Sequence, residues 1–510
     1  MSVVGGPGDV AGDALPAQSP AAPPPALVAL RSPDGTALIA ATVLASMVGF
    51  LDANVINVAV PAIGRDLNAH VSAVQWILTS YLVAVAALLL LSGALADRFG
   101  RRRLLAVGLT VMLGGSVLCS LAPSVGPLIG ARVIQGVGAS MVVPSSLALL
   151  NGTLRVRDRA RGIGVWAGLA TLGTTVGPYA GGWLVDHTSW RAVFLLNIPL
   201  ILGALVVLRR VPATGTAPRP LSLDVVGALL AVVGLGALIY ALIAGPGAGW
   251  GSARIVAAGV VGVVCLASLL PVERRLRSPM IRLSLFRSRQ FDAINATTVL
   301  FYGALSAAGY LLIIQCELRL GYSATQAGAA LIPESVVFLL IAPLSGALVS
   351  RVGPRWLMVA GILIVAGGFL WLSQARPGDG YVSAVLPGAL LWGLGVGIAV
   401  TPLTAAVLAA VSDDDLGEAS AINDAASRIG GVIAIAIVPA LIGATGGTGL
   451  ADALAGGYET AMIVMAALCA AGALITALFV SDARTAAPRL VPHPRTHSCA
   501  LPVPEPAATS

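Results

Sequence analysis

Long hydrophobic runs alternate with short polar ones from about residue 36 onward, and fourteen such runs are centred near residues 47, 86, 113, 138, 172, 199, 234, 262, 302, 337, 364, 396, 430 and 469. A bilayer core about 30 Å thick takes roughly 20 residues of helix to cross. The runs from Trp76 to Ala96 and from Leu104 to Pro123 have that length. Helix is the form these runs must take, because an open strand would leave its backbone groups unpaired in lipid. The pattern predicts an all-α integral membrane protein of fourteen transmembrane helices, with both termini on one side.

Arginine supports that parity. One face of the membrane receives only Arg65, Arg191, Arg254, Arg319 and Arg376, whereas the other receives 23 with both tails included. Arg132 and Arg428 fall inside spans. Because basic loops mark the cytoplasmic side, both termini are expected in the cytoplasm of a protein of the plasma membrane. The acidic residues Asp413, Asp414, Asp415 and Glu418 fall on the same face, against the general sign there. Residues 1–35 and 481–510 read as disordered tails, and the first of them lacks the charged start and apolar core of a signal peptide.

Composition narrows the function. The chain is 57% hydrophobic and 10% charged, far below the roughly 25% charge of a soluble domain. All 30 basic residues are Arg, which excludes a conventional P-loop pump and Schiff-base catalysis through lysine. The net charge of +7 sits in short loops between spans, so membrane topology explains it and no nucleic-acid partner is expected. Cys119, Cys265, Cys316 and Cys469 lie in apolar runs and Cys499 in the tail, without metal or disulfide spacing, and read as inert packing residues. His70, His187, His493 and His497 lie in loops or the tail. A proton crossing the membrane would therefore ride on a carboxylate. No enzyme activity, metal or cofactor is expected, and the partners are a small-molecule substrate, protons and lipid around a monomer.

The organisation looks duplicated. GALVSRVGPR from Gly346 to Arg355 echoes the segment that begins at Gly93, with Ser350 standing where Asp97 stood. The connection from Arg274 to Arg289 carries six arginines, and the two spans before it look like an insertion. We therefore expect a first six-helix half over 36–210, two inserted helices over 211–275 and a second six-helix half over 276–480.

The segment GALADRFGRRR, Gly93 to Arg103, reads as a tight loop of about seven residues between the second and third spans. Gly93 would let helices approach, Gly100 would allow a turn, and Asp97 could pair with an arginine such as Arg98, Arg101 or Arg102. In the first span, LDANVINVAVP places Asp52 in an apolar helix, where an isolated charge costs at least about 2.5 to 3.5 kcal/mol. Asp52 should therefore face a cavity and be able to take up a proton; a structural, hydrogen-bonded acid is the competing reading. RVIQGVG puts Arg132 and Gln135 on one face of the fourth span, with Gly136 beside them, and a guanidinium at that depth needs partners. In GTTVGPYAGG of the fifth span, Gly173, Gly177 and Gly181 recur every four residues as a close-packing face, Pro178 permits a kink, and Gly182 follows. Glu334 comes after Pro333 about ten residues into its span, roughly 15 Å deep, where a cationic substrate or a proton could be held. Asp424 and Arg428, four apart, should pair on one helix face. Trp76, Trp183, Trp190 and Trp250 lie near span ends and read as interface anchors.

These motifs together resemble the major facilitator superfamily, and within it the fourteen-helix drug/proton antiporters. GxLADxxGRR between the second and third helices is similar to the family's signature loop. LDANVINVAVP resembles its first-helix LDxTxVNVALP pattern with Asn54 in place of Thr, RVIQGVG its RxxQGxG, and WRAVFLLNIP its WRWxFxxNxP. GTTVGPYAGG resembles the antiporter motif GxxxGPxxGG, associated with exporters. ASAINDAASRIGG resembles the thirteenth-helix pattern. The resemblance implies a major facilitator fold, Asp52 as a proton or cation site, a proton-coupling role for Arg132, and proton-driven export of drugs or antibiotics by alternating access. The alternatives are a dedicated exporter of one host metabolite or antibiotic and, from another class, a transport-inactive membrane receptor.

Overall fold

The computed structural model describes residues 27–212, 224–275, 283–412, 415–444 and 450–482. Outside these residues lie most of both expected tails, Asp413 and Asp414, and, of the motif residues, the side chains of Asp97 and Ser350. Among the described residues fourteen long helices follow one another: α1 Pro33–Val55, α2 Val71–Phe99, α3 Arg101–Ser120, α4 Val125–Thr153, α5 Val156–His187, α6 Trp190–Leu208, α7 Val225–Ala248 and α8 Ala253–Glu273, then α9 Arg289–Leu318, α10 Ile332–Val352, α11 Pro354–Leu372, α12 Leu386–Ala409, α13 Leu416–Leu441 and α14 Leu450–Phe479. No β-strand occurs among the described residues.

Among the described residues, thirteen of these helices are long and apolar enough to cross a membrane. The remaining one, α5, spans 32 residues but opens on Arg157, Asp158, Arg159 and Arg161 and is diluted by glycine and threonine. Its length and its packing along α1 place it in the bundle with the rest. Helices α1–α6 pack on one another, as do α9–α14. Between these two halves, α7 lies against both α2 and α13, while α8 rests chiefly on α7.

The junction of α2 and α3 differs from its expected form. Helix α2 runs on to Phe99, α3 starts at Arg101, and Gly100 alone joins them with φ 92°. Charged residues can end a membrane helix because their long side chains reach the interface, so Arg98 belongs to the helix rather than to a loop. A residue with a Cβ is strained at this φ, and glycine is not. Gly93 does not serve as a contact point, since a Cβ built there would meet nothing within 4 Å.

The second half repeats the device. Gly353, φ 89°, alone separates α10 from α11. Two residues past each turn-forming glycine, an arginine caps the sixth helix of its own half. Arg102 Nη2 donates to the Arg209 carbonyl at the end of α6, 3.1 Å, and Arg355 Nη2 donates to the Ala477 carbonyl in the last turn of α14. Carbonyls at a helix C-terminus lack intrahelical donors and carry partial negative charge, which is why a guanidinium suits both places.

Two further expectations need correction. The end of the first tail is held in place: Val28 N donates to Thr153 O at 2.9 Å, Arg155 N to Val28 O at 3.0 Å, and Leu30 N to the Asp158 carboxylate at 3.2 Å. Trp190 is a core residue rather than an interface anchor. It is buried, and its Nε1 donates to Asp66 at 2.9 Å. Trp183 and Trp250 are exposed, in keeping with the anchoring role.

Candidate functional site

Asp52 and Arg132 meet inside the first half, 0% and 1% exposed. Arg132 Nη1 donates to Asp52 Oδ2 at 2.6 Å. The other carboxylate oxygen accepts from Asn197 Nδ2 at 2.6 Å and from Gln135 Nε2 at 3.1 Å. Arg132 also donates to Gln135 Oε1 and to the Ile77 carbonyl, and its guanidinium lies 4.3 Å from the Tyr81 ring centroid. Ser116 accepts from Gln135 and Asn197, and Cys119 donates to Gln135 Oε1 at 3.3 Å. The elements converge because small residues let them: a Cβ on Gly136 would come within 2.6 Å of the Tyr81 carbonyl of α2, and one on Gly115 within 2.8 Å of the Gln135 backbone nitrogen.

Asp52 therefore does not face a cavity. Its charge is met by a guanidinium and two amides from α4 and α6, contacts that local sequence around Asp52 does not display. The Arg132–Gln135 face is as expected. Cys119, read as inert packing, belongs to the network. Asn197, Ser116 and Tyr81 join the network beyond the expected residues; Asn197 carries a sequence signal in the WRAVFLLNIP stretch, whereas Ser116 and Tyr81 carry none.

Glu334 lies elsewhere, in a cavity of about 420 Å³ between the halves. Asn54, Asn57 and Thr175 line the first-half wall; Tyr302, Ser306, Phe338 and Trp392 line the second. Among the described lining residues Glu334 is the one charged group. The chain positions it by a break. Pro333 cannot donate to the Ala329 carbonyl, so the short helix Ala324–Ala329 ends and α10 begins afresh at Ile332. Glu334 thus occupies the first turn of α10, where the helix dipole favours a negative group, and it remains well inside the span Ala324–Val349. Ser335 Oγ donates to its carboxylate at 3.0 Å.

The glycine stripe of α5 has two faces. Gly173, Gly177 and Gly181 lie against α1, opposite Met47, Leu51 and Val55 respectively, as their spacing predicts. Gly182 points the other way and presses on the Ala324 backbone of the second half, while Gly328 of that short helix presses on the Pro178 carbonyl. Asp186 completes the contact by accepting from Ala324 N, Thr325 N and Thr325 Oγ1 at 3.2, 2.8 and 2.5 Å. Helix α5 is thus joined to the second half at the arginine-poor end but barely touches α10 itself. This contact borders the cavity, which Pro178 and Gly328 themselves line.

Asp424 and Arg428 pair at 3.6 Å on α13, as their spacing predicts. Arg428 also reaches across to the Phe50 ring of α1, 5.9 Å away. Of the α2–α3 motif, Arg101 Nη1 donates to the Ala148 carbonyl of α4 at 2.9 Å, and Arg98 lies 5.4 Å from the Phe99 ring.

Two six-helix halves around a cavity that holds a carboxylate at membrane depth have the build of a secondary transporter. The chain belongs to the major facilitator superfamily: a sequence model described as Major Facilitator Superfamily matches residues 42–224, 216–433 and 294–507. It is 36% identical over 411 residues to Multidrug resistance protein Stp of Mycobacterium tuberculosis, covering 79% of this chain and 75% of that protein. It is 34% identical to Puromycin resistance protein pur8 of Streptomyces alboniger over 403 residues, 77% of this chain and 79% of the other. Among solved structures, a crystal structure of the POT family transporter PepTSo matches with a TM-score of 0.64 at 15% identity, over 87% of this chain and 96% of that one, and shares the fold.

Proposed function

We propose that the protein exports antibiotics or similar amphipathic small molecules by alternating access, in exchange for protons. The observation that carries the reading is the placement of Glu334, the charged residue among the described groups lining an aromatic-walled cavity between the halves. A carboxylate at this depth is expensive to leave bare, so a proton and a cationic substrate compete for it. The Asp52–Arg132 pair, sealed inside the first half, holds α1, α4 and α6 in register and responds to the cavity through α1, which supplies Asn54 to the wall, and through the turn Ile56–Ala59 after it, which supplies Asn57. The export relatives and the antiporter motif support the outward direction. In this reading the arginine-rich end faces the cytoplasm and the cavity is open toward it. One charge moved across 100 mV is worth about 2.3 kcal/mol, which supports more than tenfold accumulation per proton.

The test is efflux of a fluorescent cation from energised cells, with and without an uncoupler. Wild type should extrude dye and lose this with the uncoupler, and Glu334→Gln should insert in the membrane yet fail to extrude. Uncoupler-resistant efflux would overturn proton coupling, and normal efflux by Glu334→Gln would overturn its assignment. Should wild type move a host-made antibiotic and no dye, the dedicated exporter replaces the multidrug reading.

A further inference from the structure

A second and larger cavity, about 840 Å³, opens at the arginine-poor end, away from Glu334. Its walls come from three bodies: the short helix Val60–Asp66 that follows α1 and the start of α2 in the first half, α9, α13 and α14 in the second, and α7 with the start of α8 between them. Deeper in the membrane α2, α7 and α13 are in contact through Ala87, Ile239 and Val432, part of one apolar cluster. Toward the arginine-poor surface they part, and the space between them is this groove. Tyr240, Leu318 and Leu450 line it with apolar surface, whereas Arg65, His70 and Arg254 supply its charged or ionisable rim.

The electrostatics of that rim are incomplete. Of the five arginines at this end, Arg191 is paired with Asp66 at 2.9 Å. The same carboxylate also accepts from Trp190, so the acid next to Arg65 in the chain is already engaged. Arg65 and Arg254 are exposed and form no ion pair among the described residues. The Glu317 carboxylate of α9 feels the Arg65 charge through space, without an ion pair between them. Two unpaired guanidiniums at the mouth of an apolar groove, at the level where a helix leaves the bilayer, match a molecule with an anionic head and hydrocarbon tails.

We propose that this groove binds an anionic phospholipid of the leaflet at the arginine-poor end, its phosphate held by Arg65 and Arg254 and its acyl chains lying along α7. A lipid seated there touches both halves at once. It stabilises the state in which the arginine-poor end is closed, because opening that end separates the first-half wall from the second. The inserted helices α7 and α8 thereby gain a task that the six-plus-six architecture does not require of them, since α7 forms the outer wall that makes the groove a site.

Native mass spectrometry of the full-length protein taken from vesicles of phosphatidylcholine with 10–20% (about one lipid in five to ten) phosphatidylglycerol tests this. Wild type should retain phosphatidylglycerol in preference to phosphatidylcholine. With surface arginines each worth about fivefold in attraction to an anionic headgroup, Arg65→Ala/Arg254→Ala should retain it roughly thirtyfold more weakly. Arg65→Lys/Arg254→Lys should keep most of the binding, and Arg376→Ala, at the same membrane face but outside the groove, should keep all of it. Equal retention by wild type and the alanine pair would overturn the proposal, as would equal retention of the two lipids. Displacement of phosphatidylglycerol by millimolar inorganic phosphate would also overturn it, showing a site for free anions instead of a lipid.

Discussion

Breaking the buried pair of the first half should reveal an asymmetry that its geometry dictates. Asp52→Leu leaves Arg132 Nη1, Asn197 Nδ2 and Gln135 Nε2 without their carboxylate, so one buried cation and two amides lose an acceptor. Arg132→Leu leaves Asp52 with both amides still donating to it. Removing one partner of a buried ion pair costs about 3–5 kcal/mol, and an abandoned buried polar group about 1–3 kcal/mol. The aspartate variant should therefore fall at or beyond the top of the first range and the arginine variant near its bottom. Replacing both with leucine removes the two charges together and should be milder than the sum of the single changes by roughly 3 kcal/mol. Asp52→Asn should fall between, since its carbonyl can still accept from Asn197 while its amide faces the Arg132 guanidinium. The measurement is unfolding of the purified protein by sodium dodecyl sulfate in mixed micelles, followed through tryptophan fluorescence. Single changes that add to within about 0.5 kcal/mol in the double variant, or an arginine variant weaker than the aspartate one, would refute the reasoning.

The turn glycines make a paired prediction: Gly100→Ala, at φ 92°, should lower stability by about 1–2 kcal/mol, whereas Gly93→Ala, with open space around it, should change it by less than about 0.5 kcal/mol in the same unfolding assay. At the arginine-poor end, Gly182→Val and Gly328→Val drive side chains into backbone of the opposite half. Each should raise labelling of a cysteine placed at Thr325 by a membrane-impermeant maleimide, and unchanged labelling would count against that contact as the seal. In the same cysteine background Asp186→Ala removes the two backbone hydrogen bonds from Ala324 N and Thr325 N and should shift labelling the same way, while Asp186→Asn, which can still accept, should shift it less.

The sequence made the fold legible because a membrane imposes one rule on every span. Hydrophobic length is a local property, and it was enough to place the fourteen helices. The face of α5 was legible for a similar reason, since a spacing of four on a helix needs no partner to be recognised. What could not be read was pairing across the chain. Arg132 is 80 residues from Asp52, and Asn197 is 145 residues from it, so an acid that looks isolated in its own helix is fully satisfied in three dimensions. The boundary near Asp97 and Arg98 misled for the opposite reason: charge suggests a loop, yet a final helical turn at the interface holds charge equally well. Glu334 was placed at depth by Pro333, but the aromatic wall around it comes from α9, α10 and α12, which only the folded bundle brings together.

Those placements bear on how the cavity and the seal communicate. On α5, Thr175 and Pro178 line the cavity, and Gly182 and Asp186, one and two turns further along the same face, hold the second half. Across the cavity, Gly328 belongs to the seal and Glu334 to the binding wall, with only the proline break between them. An occupant that draws Glu334 toward the first half therefore acts on the same two segments whose backbone contact closes the arginine-poor end. No chain of intermediate side chains is needed for coupling, which removes the usual demand for a long-range pathway. The break at Ala330 and Leu331 is then the hinge to examine, because a continuous helix there would bind Glu334 rigidly to Gly328. Loss of Pro333 should restore that continuity: Pro333→Ala should keep substrate binding at the cavity but slow the exchange between open and closed ends, read as a lower maximal efflux rate with unchanged half-saturation. An unaltered rate would mean that the seal moves with α10 as one rigid helix.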